Sequence, residues 1–170
     1  MIVYAYVKKG EHHRNGVCQD TVLLSHLVMS SGSIRIAVPQ NFLLGVADGV
    51  GGHRAGEAAS GLTASLLSQA GGENLPVEAL RIRLAQVNET IAQIARGTEK
   101  CRGMASTFVG FYRLGEKAYV LWAGNSRLYQ VTGDAGHVMQ LTVDHNQKND
   151  WLENGEIDSL DGVKGGEALT

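Results

Sequence analysis

The chain is poor in cysteine, in charge imbalance and in long apolar runs, and each shortage removes a class of function. Cys18 and Cys101, the only two cysteines in 170 residues, lie far apart and form neither a C-x-x-C pair nor a Cys/His cluster. A disulfide framework or a zinc site is therefore not expected, and a reducing compartment is. Fifteen basic and 17 acidic residues leave a formal net charge of -2 without a basic stripe, so nucleic acid is not an expected partner. No apolar stretch approaches the roughly 20 residues of a membrane helix, so no membrane partner is expected either. Residues 1–7 are apolar but soon interrupted by Lys8 and Lys9, too short for a secretory signal; they alternate like a first strand. Cytoplasmic residence is the default expectation.

What is present suits one globular domain. Hydrophobic residues make up 44% and charged ones 19%, enough to build a core at this length. Without an internal repeat, low-complexity tract or linker, residues 1–170 read as a single domain.

Residues 21–29 have strand composition, and the polar turn Ser30-Ser31-Gly32-Ser33 before residues 34–38 predicts a hairpin. Residues 41–47 predict a buried strand, and residues 56–70, rich in Ala, Leu and Ser, a closely packed helix. A second helix has Pro76 in its first turn, and Leu80, Leu84, Val87, Ile91 and Ile94 form one apolar stripe against a sheet. Residues 106–113, 117–123 and 127–131 follow as strands, with a turn at Leu114-Gly115-Glu116 and another hairpin loop at Gly133-Asp134-Ala135-Gly136. Apolar residues on both alternating faces predict a sheet covered on both sides, with helices outside. After Asp144 the tail is polar, anchored by Trp151 and Leu152.

The most informative stretch is Gly45-Val46-Ala47-Asp48-Gly49-Val50-Gly51-Gly52-His53-Arg54-Ala55-Gly56. It places Asp48 at a strand end, among glycines that let the backbone turn and aim carbonyl oxygens inward. Mg²⁺ or Mn²⁺ would take the Asp48 carboxylate and the Gly49 carbonyl as neighbouring ligands and keep water elsewhere. Equally, Asp-Gly-x-Gly-Gly can be a tight turn whose aspartate caps the following helix.

This segment resembles the Asp-Gly-x-Gly-Gly-His motif of the metal-dependent protein phosphatases, the type 2C serine/threonine family. Further blocks match in family order. Upstream is His12-His13-Arg14-Asn15-Gly16-Val17-Cys18-Gln19-Asp20. Downstream come Met104-Ala105-Ser106-Thr107, then Gly124-Asn125-Ser126-Arg127, then Leu141-Thr142-Val143-Asp144-His145-Asn146. Each block is short; their order is specific. The resemblance covers residues 1 to about 160 and implies an α+β fold, a layered α-β-β-α sandwich of two mainly antiparallel sheets flanked by helices, incomplete at its C-terminal side.

The resemblance also implies hydrolysis of phosphomonoesters on phosphoserine or phosphothreonine proteins, using two Mn²⁺ or Mg²⁺ ions. Asp48 would bridge the ions, with the Gly49 carbonyl and Asp20 completing one side; Gln19 stands where many relatives have glutamate. Arg14, one residue out of the usual spacing, or His12 or His13, would hold the phosphate. His53 matches a residue that could be a general acid or simply structural. Asn125 departs from the family's aspartate, which weakens any third metal site. Thr107, Ser126 and Arg127 read as structural, Arg127 bracing a hairpin, and Asp144 and His145 as fixing a loop.

Relatives supply two more metal-binding aspartates from a C-terminal Asp-Gly block and a later Asp-Asn block. Neither occurs before Thr170; Asp161-Gly162 imitates the first but follows Asp144 too closely and lacks a leading strand. Three readings follow: a fragment of a longer enzyme, a short variant borrowing ligands from a partner or second copy, or a catalytically weak or inactive module that binds phosphoproteins. The oligomeric state is left open.

Overall fold

A computed structural model describes residues 1–10, 17–50, 55–71, 73–133 and 136–161. In chain order they form β1 (Ile2–Val7), β2 (Asp20–Leu24), β3 (Leu27–Met29), β4 (Gly32–Ala37), β5 (Phe42–Val50), α1 (Ala55–Ser68) and α2 (Val77–Gly97). A 3₁₀ turn (Glu99–Cys101) leads to β6 (Ala105–Ser106), β7 (Phe108–Leu114), β8 (Lys117–Ala123), β9 (Tyr129–Thr132), β10 (His137–Gln140) and α3 (Gln147–Glu153).

The main sheet is antiparallel, in the order β3-β2-β5-β7-β8, with the short β6 also paired to β5. β1 pairs antiparallel with β4, and β9 with β10, as two separate ribbons. This is a mixed α+β fold with antiparallel sheets and three α-helices among the described residues.

α1 and α2 cover one face of the main sheet. Leu23, Leu43, Ala47, Phe108 and Tyr112 form the core there with Ala59, Ala64 and Leu67 of α1 and Leu80, Val87 and Ile91 of α2. The apolar stripe on α2 thus packs as its spacing predicts, with Leu84 and Ile94 partly buried beside it. Pro76 sits just ahead of α2 as its N-cap, where its missing N–H costs nothing. On the opposite face Val7, Val22 and Leu24 form a second cluster with Val3, Ala5, Ile34 and Ile36 of the β1–β4 ribbon.

Two elements differ from expectation. The run 21–29 breaks at Ser25, whose φ of 57° makes a left-handed turn between β2 and β3. That turn is held by the Ser25 N–H donating to the Leu43 carbonyl at 2.7 Å and by Gly71, which has no room for a Cβ against the Ser25 backbone. The polar turn at residues 30–33 does not close a hairpin: β4 crosses to β1, and its Ile34 and Ile36 are partly buried against the cluster on β2. Apolar burial outweighs the local turn signal.

Candidate metal corner

β5 runs through Asp48 to Val50, so Asp48 lies inside the strand rather than at its end. Directly across on β2 stands Asp20. The Gly49 N–H donates to the Gln19 carbonyl at 3.0 Å, which makes Gln19 and Gly49 the hydrogen-bonded pair and Asp20 and Asp48 the neighbouring non-bonded pair. In such a pair the Cα atoms are about 4.5 Å apart and the side chains project to the same face. Both residues are exposed. Like charges placed so are mutually destabilising unless a cation lies between them.

Gly49 serves a different purpose from a bend. It is absent from the positive-φ glycines. A Cβ on it would collide with the Gly56 carbonyl, and one on Gly56 would lie 2.6 Å from the Gly49 carbonyl oxygen. The start of α1 meets β5 backbone to backbone, and side chains at 49 and 56 would force them apart. Gln19 reaches the same spot, its Nε2 2.9 Å from that imagined Gly56 Cβ.

Thr107, almost wholly buried, fixes the Asp48 main chain. Its N–H donates to the Asp48 carbonyl at 2.9 Å, and its Oγ1 accepts from the Asp48 N–H at 3.2 Å. Having accepted there, the hydroxyl can donate to Ser126 Oγ, with which it is hydrogen-bonded. Ser106 Oγ adds a contact to the Asp48 carbonyl at 3.3 Å. Gly124, at φ 99°, packs on Thr107, where a Cβ would approach Cγ2 to 2.7 Å.

The last two blocks join the same corner. The Gly124 N–H donates to His145 Nδ1 at 3.2 Å and its carbonyl accepts from the His145 N–H at 3.0 Å. The Arg127 guanidinium grips Asp144 with Nε at 2.9 Å and Nη2 at 2.7 Å, a bidentate fork. Chiefly through the hydrogen bond to Asp144, and then that to Tyr129, the Arg127 pKa is raised further above its ordinary value. Arg127, Asp144 and His145 thus brace loops.

The donors at the corner are oxygens, the chemistry that hard divalent ions take. The Asp20 and Asp48 carboxylates and the adjoining Gly49 carbonyl are donors of that chemistry. Among the described residues no group of three or more His, Cys, Asp or Glu side chains is assembled. Arg14, His12, His13 and His53 lie outside the described residues. Asp161 is exposed, its N–H donating to Ser159 Oγ, and Gly162 is not described. The part of the corner that sequence reasoning missed is the Gly49–Gly56 contact; its signal was a glycine on each side of the strand-to-helix connection.

The frame of the corner is thus an antiparallel sheet backed by α1 and α2, with two carboxylates paired at one end of its other face. No protein-family model matches the chain. The serine/threonine phosphatase Stp of Listeria monocytogenes serovar 1/2a is 36% identical over 126 residues, 69% of this chain and 49% of the relative. Among solved structures, the Mycobacterium tuberculosis phosphatase PstP/Ppp superposes with a TM-score of 0.69 at 25% identity, over 92% of this chain and 60% of that one. The PstP catalytic domain in complex with two manganese ions gives 0.66 at 27%, over 92% and 61%. The chain belongs to the type 2C bacterial serine/threonine phosphatase family. It spans about half the length of the curated relatives it matches.

Proposed function

We propose that residues 1–170 form a single type 2C phosphatase-like domain that hydrolyses phosphoserine and phosphothreonine on proteins with Mn²⁺ or Mg²⁺. The observation that carries this reading is the cross-strand pair of Asp20 and Asp48, exposed on one face with the Gly49 carbonyl next along β5. Two carboxylates on one face are oxygen donors of the kind a hard divalent cation takes. The four-layer α-β-β-α arrangement belongs to the same proposal. So does a cytoplasmic setting, which both cysteines being free thiols supports.

In this reading the Asp48 carboxylate would hold the metal, with Asp20 and the Gly49 carbonyl as further oxygen donors. The ions would supply the Lewis acidity that makes a water nucleophilic near neutral pH and offsets charge building on the phosphoryl group. Arg14, with two donors matched to two phosphoryl oxygens, or His13, orients the phosphate. The bond from water oxygen to phosphorus forms as the bond to the serine or threonine oxygen breaks; the water gives up a proton to solvent, and protonated His53 gives the leaving oxygen its proton and takes one back from solvent.

The test pairs binding with turnover. Calorimetry should show Mn²⁺ binding to the wild type and little to Asp48→Asn. Para-nitrophenyl phosphate and a phosphothreonine peptide should be hydrolysed with Mn²⁺ or Mg²⁺ and not with chelator. Turnover that survives chelation or Asp48→Asn would rule the mechanism out. The two-carboxylate donor set also supports a second reading, a catalytically weak or inactive phosphoprotein-binding module, and metal binding without turnover would favour it.

A further inference from the structure

Thr107 carries a methyl and a hydroxyl on its Cβ, and the turn that follows β8 touches both. Gly124, at φ 99°, lies so close to the methyl that an added Cβ would meet Cγ2 at 2.7 Å. Ser126, two residues on, shares a hydrogen bond with the hydroxyl. Methyl and hydroxyl cannot exchange places while that turn stays where it is, so one χ1 rotamer of Thr107 is selected. It is the rotamer in which Oγ1 accepts from the Asp48 N–H.

One residue holds the turn from 21 positions away. The Gly124 N–H donates to His145 Nδ1, and the Gly124 carbonyl accepts from the His145 N–H, so His145 closes on both polar groups of the glycine. A backbone N–H only donates. Nδ1 therefore presents its lone pair, and the ring's proton sits on Nε2. Trp122 keeps the ring oriented: the two rings stack at 5.9 Å with 29° between their planes, and Trp122 Nε1 donates to the Val143 carbonyl at 2.8 Å. The Arg127–Asp144 fork already ties the same two segments together. What the imidazole adds is a directed acceptor at the glycine that abuts Thr107.

We infer that His145 is a positioning residue for Asp48: through Gly124 it locks the Thr107 rotamer, and through Thr107 it fixes the main chain from which the Asp48 carboxylate projects. The relay ends at a cation only if the metal reading proposed above holds, and to that extent the inference rests on it. The relay itself can be read without metal.

The test replaces His145 in the 170-residue chain by leucine, which removes the acceptor, and by asparagine, whose Oδ1 can accept the same N–H. In chelator, hydrogen exchange of the Asp48 and Thr107 amides should quicken by about fivefold or more in His145→Leu, as the loss of one hydrogen bond implies. His145→Asn should stay near wild type. Amides of β7 report global unfolding and serve as the reference. Side-chain scalar couplings should show one Thr107 rotamer in wild type and His145→Asn, and averaging in His145→Leu. Calorimetric Mn²⁺ affinity should fall by a similar factor in His145→Leu alone. If that variant does not fold, His145→Gln, whose acceptor lies one carbon further out, takes its place. Quickening no greater than that of the β7 amides, or equal in the leucine and asparagine variants, would overturn the inference. So would a wild-type Mn²⁺ affinity in His145→Leu. A wild type that binds no Mn²⁺, with the exchange and rotamer differences present, would sink the metal reading and leave the relay standing.

Discussion

Thr107 engages both main-chain polar groups of Asp48, accepting from its N–H and donating to its carbonyl. The blocks that follow one another in the sequence meet in space through that residue: Asp48 on β5, Thr107 after β6, and Ser126 and Gly124 after β8. His145 and Asp144 then tie in through Gly124 and Arg127.

Replacing Thr107 by valine keeps the shape and removes the hydroxyl. The Asp48 N–H then loses its side-chain partner, and stability to urea should fall by about 1–3 kcal/mol. Thr107→Ser keeps the hydroxyl and should lose less. The rise in unfolding midpoint produced by Mn²⁺ should shrink in the valine variant and persist in the serine one. Equal Mn²⁺ responses in the two would show that the hydroxyl does not orient Asp48.

Asp20→Asn removes one charge from the cross-strand acidic pair. In chelator the variant should be more stable than wild type by about 0.2–1 kcal/mol. With Mn²⁺ the order should reverse, because a ligand that binds only the folded state stabilises in proportion to its occupancy. Thermal unfolding in both buffers reads the sign directly, and a variant less stable in chelator would contradict a repulsive pair.

The two glycines of the strand-to-helix contact should differ sharply from a third on the same helix. Gly49→Ala sets a methyl against the Gly56 carbonyl, and backbone has to move, so a loss of about 3 kcal/mol or more is expected. Gly61, inside α1, has nothing within 4 Å of an added Cβ. Gly61→Ala should therefore stabilise by about 0.5–1 kcal/mol through helix propensity. Urea titration of the pair checks both signs.

Asp144 is largely buried while Arg127 is about half exposed, at 11% and 49% side-chain exposure. Breaking that fork with Asp144→Asn should cost about 1 kcal/mol, less in about 1 M salt, where exposed charges are screened. Arg81→Ala, which removes a pair exposed on both sides, should change stability little. Chemical unfolding at two ionic strengths separates them.

Local patterns in the chain carried much of this arrangement. The α2 stripe, the turn at Gly115 and the bracing parts of Arg127, Asp144 and His145 were readable because each depends on neighbours in sequence or on a motif order. The pairing of β4 with β1 was not, because a three-residue β3 and a polar turn imitate a simple hairpin while the deciding term is the packing of the partly buried Ile34 and Ile36 on β2. Nor was the contact of Gly49 with Gly56: a glycine needed for close approach has the same letter as one needed for a bend. Asp20 and Asp48 were legible as candidate ligands, but their direct opposition depends on strand register, which no single segment encodes.

Where α1 meets β5 at Gly49 and Gly56, main chain touches main chain with no side chain between. A soft methyl or methylene interface could absorb a small slide of the helix; this one has nothing to compress. Any displacement of the first turn of α1 toward the sheet therefore meets the main chain of β5 directly, one residue from Asp48.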